Sequence, residues 1–134
     1  MSLFTLFVLV TVIIPMILNP ARRPDNMVRN YLLNLTPLGT NISDVINIVE
    51  GRNDWDVRRI DHERGFTVTN FALPGGDPNR VIVVGEMSVR VHIGTTRLVW
   101  HAWPPLINWF VEAFWGFDES GNLIEIRVRR FGLL

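Results

Sequence analysis

The sequence contains no cysteine, which excludes disulfides, thiolate catalysis and cysteine-ligated zinc. Lysine is absent too, so all 13 basic side chains are arginine, which reads as a coding bias before it reads as chemistry. Neither sign of charge is in excess: 13 acidic residues balance the 13 basic ones. The global field by which a polyanion binder captures nucleic acid is therefore missing, and no nucleic-acid partner is expected. No G-x-S-x-G, P-loop, G-x-G-x-x-G or H-E-x-x-H pattern occurs, and there is no repeat or low-complexity tract.

What is present starts with residues 3–18, LFTLFVLVTVIIPMIL, uncharged and almost wholly apolar, bounded by Asn19, Pro20, Arg22 and Arg23. A membrane-spanning helix needs roughly 17–25 such residues, so this run is at the short end, with Pro15 near its close. A single-pass anchor, a cleaved signal peptide and a core helix compete for it. The run lacks a basic segment before it and an A-x-A cleavage site after it, and a core helix would need a partner apolar all round, so the anchor is the expectation. Arg22, Arg23 and Arg29 would place the rest of the chain in the cytoplasm, although basic residues upstream of Met1 would reverse that, and both sides stay open.

The remainder has room for one small domain. Residues 1–19 are assigned to the anchor or uncleaved signal segment, 20–30 to a linker and 31–134 to an α+β domain. Asp25 can begin a helix, because Met27, Val28, Tyr31, Leu32 and Leu35 recur at helical spacing until Thr36-Pro37. Asn41 caps a second helix with the stripe Ile42, Val45, Ile46, Val49, stopped by Gly51. From Trp55 the period changes to two. Residues 66–71 form a strand and 73–79, LPGGDPN, a turn or exposed loop. Met87, Val89, Val91 and Ile93 then alternate with polar residues as a half-buried strand does. Gly94-Thr95-Thr96 reads as a turn into residues 97–103, Pro104-Pro105 as a break, and Asn108–Phe117 with 123–130 as a final pair. The prediction is two short helices on one face of a four- to five-stranded antiparallel sheet, preceded by the membrane helix.

Between the last two strands, residues 118–122, DESGN, place Asp118, Ser120 and Asn122 at calcium-loop spacing. Leu123 stands where such a loop requires glycine and Arg129 where it requires a bidentate glutamate, so the segment reads as a hairpin turn. Gly51 and Gly121 are expected to need positive φ. His62, His92 and His101 are far apart, and His62 beside Asp61 and Glu63 gives only a weak hydrolase reading. In WHAWPPLINWF, residues 100–110, Trp100, His101 and Trp103 flank a rigid Pro-Pro turn and suit a partner contact, whereas Trp109 and Trp115 suit the core. Arg127, Arg129 and Arg130 read as the outer face of the last strand, a solvated basic face or a docking face for an acidic partner or lipid. The sequons at Asn34 and Asn41 are of a kind common by chance.

TPLGTNISDVINIVEG (residues 36–51) and WGFDESGNLIEIRV (residues 115–128) resemble the helix opening and last hairpin of the small envelope lipoproteins of the outer-membrane beta-barrel assembly machinery. The beta-lactamase inhibitor proteins share that two-helix, antiparallel-sheet architecture, and small proteins built as a membrane segment plus such a domain are similar too. The resemblance covers roughly residues 31–130. It implies a non-enzymatic scaffold facing the cell envelope that binds another protein. The lipidated cysteine of those lipoproteins is absent, so the apolar run must do the anchoring.

The expected function is accordingly a membrane-tethered protein-interaction domain of the cell envelope, without cofactor or metal, whose contact surface includes Trp100, His101, Trp103, Arg127 and Arg129. A secreted inhibitor or immunity-type binder with its first segment removed is the alternative, and a small hydrolase using His62 the third.

Overall fold

The computed structural model describes residues 1–14, 23–69, 80–97 and 108–133. Helix α1 (Leu3–Val8) is capped by the Ser2 hydroxyl, which accepts the Thr5 N–H at 3.2 Å, and runs on into a π-helical stretch, Leu9–Ile13. Neither buries a residue: Leu3 is 89% and Phe4 76% exposed. Among the described residues no helix is long and apolar enough to cross a membrane. Residues 15–18 of the apolar run lie outside them.

Helix α2 (Asp25–Leu35) starts well inside the segment assigned to a linker. Residues 25–30 belong to the domain because Val28 and Leu32, one turn apart, are both fully buried in its core. Helix α3 (Ile42–Glu50) follows the sequence reading: Asn41 accepts the Ser43 N–H at 2.9 Å, and Ile42, Val45 and Val49 are buried. Its end does not. Gly51 has φ −71°, ordinary right-handed backbone, so the expected left-handed stop is corrected to a frayed helical turn in which Arg52 N–H reaches the Val49 carbonyl.

The fold is α+β. Strands β1 (Asp56–Asp61), β4 (Met87–Arg97), β5 (Asn108–Phe117) and β6 (Leu123–Leu133) make a four-stranded antiparallel sheet in the order β1-β4-β5-β6. Strands β2 (Phe66–Thr69) and β3 (Val81–Val84) pair separately. The loop expected over 73–79 lies outside the described residues. Gly94, Thr95 and Thr96 do not turn the chain. They continue β4 through a bulge between His92 and Gly94, which keeps Ile93 in the core while Thr95 stays opposite Phe110.

Both helices lie on one face of the sheet, α2 against β6 and α3 towards β1. There Val28, Leu32, Val45 and Val49 meet Val89, Val91, Val111, Ala113, Trp115, Phe117 and Ile126. The Trp115 indole N–H donates to Thr36 Oγ at 2.9 Å, and the Thr36 hydroxyl donates to the Leu32 carbonyl at 2.8 Å, so the polar groups at this helix end are satisfied inside the core. At the rim, Arg29 of α2 donates from Nε to the Ile126 carbonyl of edge strand β6 at 2.8 Å and pairs with Glu125 at 3.1 Å.

Residues 118–122 are the turn between β5 and β6. The Asp118 carboxylate accepts the N–H groups of Ser120 and Asn122 at 3.0 and 2.9 Å, and Gly121 has φ +82°. The turn is tied to the start of α3, since Ile42 N–H donates to the Gly121 carbonyl at 2.8 Å and Leu123 N–H to the Thr40 carbonyl at 2.9 Å. The two motifs that carry the resemblance thus bond to each other.

Thr36→Val, which keeps the shape but strands the Trp115 N–H, is expected to lower unfolding free energy by about 1–3 kcal/mol in urea denaturation. By the same measurement Gly121→Val, at positive φ and with a new Cβ 3.3 Å from Ile42 Cγ2, costs about 1–3 kcal/mol. Gly51→Ala stays within about 0.5 kcal/mol of the parent.

Candidate functional site

The second face of the four-stranded sheet carries the chain's concentrated chemistry. Alternation along each strand and the register across them set three parallel rungs: Arg90–Phe114–Arg127, His92–Glu112–Arg129 and Thr95–Phe110–Phe131. Central strand β5 supplies an acid between two aromatics, and its neighbours supply cations. Glu112 is only 5% exposed and is held by Arg90, whose Nε and Nη2 both reach it at 2.6 Å. The same guanidinium lies 5.5 Å from the centre of the Phe114 ring. Further along, the His92 and Phe110 rings are 5.7 Å apart and Phe110 stacks on Phe131 at 6.0 Å.

One end of this face is roofed by the β2–β3 pair. Phe66, buried, sits over Gly116, where any Cβ would come within 2.8 Å of its ring, and lies 5.6 Å from Phe114. Ser88 Oγ donates to the Arg64 carbonyl at 2.9 Å. Between roof and sheet is an open cavity of about 300 Å³ lined by Arg59, Asp61, Arg64, Phe66, Arg90 and Phe114.

Asp61 organises the bend that enters the roof. Its Oδ1 accepts the N–H groups of Glu63 and Arg64, each at 3.0 Å, and its Oδ2 pairs with Arg59 at 2.8 Å. The Glu63 N–H above all, then Arg59 and the Arg64 N–H, hold its carboxyl below the ordinary value of 3.8, with partial burial opposing them. Neither oxygen is directed to His62, which is exposed on the bend and makes no hydrogen bond among the described residues, so the His62–Asp61 pair of the hydrolase reading is not assembled.

Of the residues singled out in the sequence, Arg127 and Arg129 lie exposed on this face, Arg127 3.7 Å from Glu125. Arg130 does not join them: it turns to the helical side, donating to Asp25 at 3.0 Å and to the Arg23 carbonyl at 2.6 Å, because an odd step along a strand reverses the face. Trp100, His101 and Trp103 lie outside the described residues. Trp115 is core as expected, while Trp109 is half-buried with its indole nitrogen buried and unpartnered among the described residues. Among those residues no group of three His, Asp or Glu side chains is gathered to hold a metal. Arg59, Arg64, Arg90, Phe110 and Phe114 were not singled out, since only cross-strand register brings them together. No family model, curated protein or solved structure matches this chain.

Because Asp61 is more acidic folded than unfolded, it stabilises the fold above about pH 4 and that contribution fades as pH falls through its lowered folded pKa. Asp61→Asn is expected to lower Tm at pH 7, and the gap from the parent should narrow as pH falls below about 4 in thermal scans of both proteins.

Proposed function

We propose that this chain is a membrane-tethered domain of the cell envelope that works by protein–protein contact through the sheet face opposite its helices. The observation that carries the tether is that the ten apolar side chains among residues 3–14 bury nothing against the domain. Each gains roughly 1.5–3 kcal/mol on leaving water, together more than the ~5–15 kcal/mol net stability of a small domain. A lipid environment for residues 3–18 removes that cost, and the shortness of the run is met by local thinning of the bilayer.

The contact surface is the rung system around Arg127, Arg129, His92, Phe110 and Phe131. Arginine and aromatic side chains on a scaffold of strands are what binding hot spots are made of. The exposed arginines on β6 select an acidic partner segment, and Trp100, His101 and Trp103, in the sequence before β5, are further contact residues. The resemblance to barrel-assembly lipoproteins and lactamase inhibitors, which imply a binding scaffold, supports contact rather than turnover. A secreted binder is the second reading, favoured by the same exposed helix: the core contains no side chain from residues 3–14, so removing them takes nothing from it.

Fractionation tests the tether. The intact chain should stay with membranes through alkaline carbonate extraction and a variant lacking residues 3–18 should not; release of the intact chain, or a mature N-terminus beyond about residue 21 on sequencing, overturns it. In the same cells, Arg127→Glu with Arg129→Glu should abolish crosslinks to the partner, and their full retention overturns the docking face.

A further inference from the structure

The cavity beneath the β2–β3 roof lies at one end of the same sheet face as the Arg127/Arg129 surface but has its own charge balance, and it does not depend on the tether. Three arginines stand among its described lining residues, and two are neutralised on the spot, Arg59 by Asp61 at 2.8 Å and Arg90 by Glu112 at 2.6 Å. Arg64 is the exception: its side chain makes no ion pair or hydrogen bond among the described residues. Its backbone is nonetheless fixed, the N–H on Asp61 at 3.0 Å and the carbonyl on Ser88 Oγ at 2.9 Å. Two hydrogen bonds therefore fix the backbone of Arg64, whose side chain is unpaired among the described residues, beside a cavity whose other described arginines are each paired.

We propose that this cavity binds a small monocarboxylate with a flat apolar body. Among the described lining residues and their ion-pair partners one positive charge is in surplus, which matches a single negative charge rather than a dianion. A guanidinium fork donates two parallel hydrogen bonds to a planar carboxylate, the geometry for which arginine is suited. The apolar body is matched by Phe66 and Phe114, whose rings stand 5.6 Å apart, and the Phe114 ring is already polarised by the Arg90 guanidinium. A volume of about 300 Å³ is at the small end for a ligand cleft and takes a body of one aromatic ring rather than a nucleotide.

The experiment is an amide chemical-shift titration of the full chain in detergent micelles with phenylacetate, phenylacetamide and phenyl phosphate. Phenylacetate should shift the signals of Arg64, Gly65, Phe66 and Phe114 saturably, at least tenfold more tightly than phenylacetamide and more tightly than phenyl phosphate. Arg64→Gln, at an exposed side chain without partners, should keep the parent's Tm and lose tenfold or more for phenylacetate with no change for the amide. Arg129→Gln should leave phenylacetate binding unchanged. Equal binding of acid and amide, tighter binding of the phosphate, no saturable shift, or an Arg64→Gln variant that binds phenylacetate as the parent does would each overturn the proposal.

Discussion

The hydrogen bond from the Trp115 indole to the Thr36 hydroxyl fixes where the helices can sit on the sheet. Trp115 lies near the C-terminal end of β5 and is fully buried, so its N–H has no water to turn to and must find an acceptor within the core. The acceptor it finds is the residue that ends α2, which pins that helix end over β5. From there the chain has only a few residues in which to reach α3, and it covers them along the end of β6, exchanging backbone hydrogen bonds with Gly121 and Leu123. One buried donor and one positive-φ glycine thus set the spacing of helices, hairpin and sheet together.

The same central strand decides what the other face can do. With Val111, Ala113, Trp115 and Phe117 turned inward, Phe110, Glu112 and Phe114 must face outward. Glu112, nearly buried beneath its neighbours, requires a cation, and Arg90 on the adjacent strand is held flat over the sheet to supply it. An arginine held that way is a surface, not a tether: it covers the Phe114 ring and becomes one wall of the cavity roofed by Phe66. Core packing on one side and a charged, aromatic platform on the other are consequences of a single alternation.

Much of this was legible in the sequence wherever the local signal was one-dimensional. Asn41 with the Ile42, Val45, Val49 stripe gave α3, the alternation from Met87 to Ile93 gave β4, and Asp118 to Asn122 gave the closing turn. Strand β1, DVRRID, was not distinguishable because an edge strand with a bulge near Arg58 shows no steady alternation, and β3, VIVV, because its side chains are largely exposed although apolar. Gly94 and Gly51 misled in different ways: pairing with β5 carries the chain straight through Gly94, whereas at Gly51 the helix does stop but on right-handed backbone closed by its own local hydrogen bonds. The candidate site was half legible. Arg127 and Arg129 could be placed on a strand face from their spacing alone, but Arg90 acquires meaning from Glu112, 22 residues away, and Arg64 from the cavity that folding builds beside it.

Helix α2 has one further consequence through Arg29, whose side chain occupies the Ile126 carbonyl on the outer rim of β6. A sheet that is to grow into a filament needs two receptive rims, one to give and one to take, and this obstructs the first. The guard covers one acceptor of that rim, so a strand approaching β6 from outside meets the Arg29 side chain at Ile126 before it can pair.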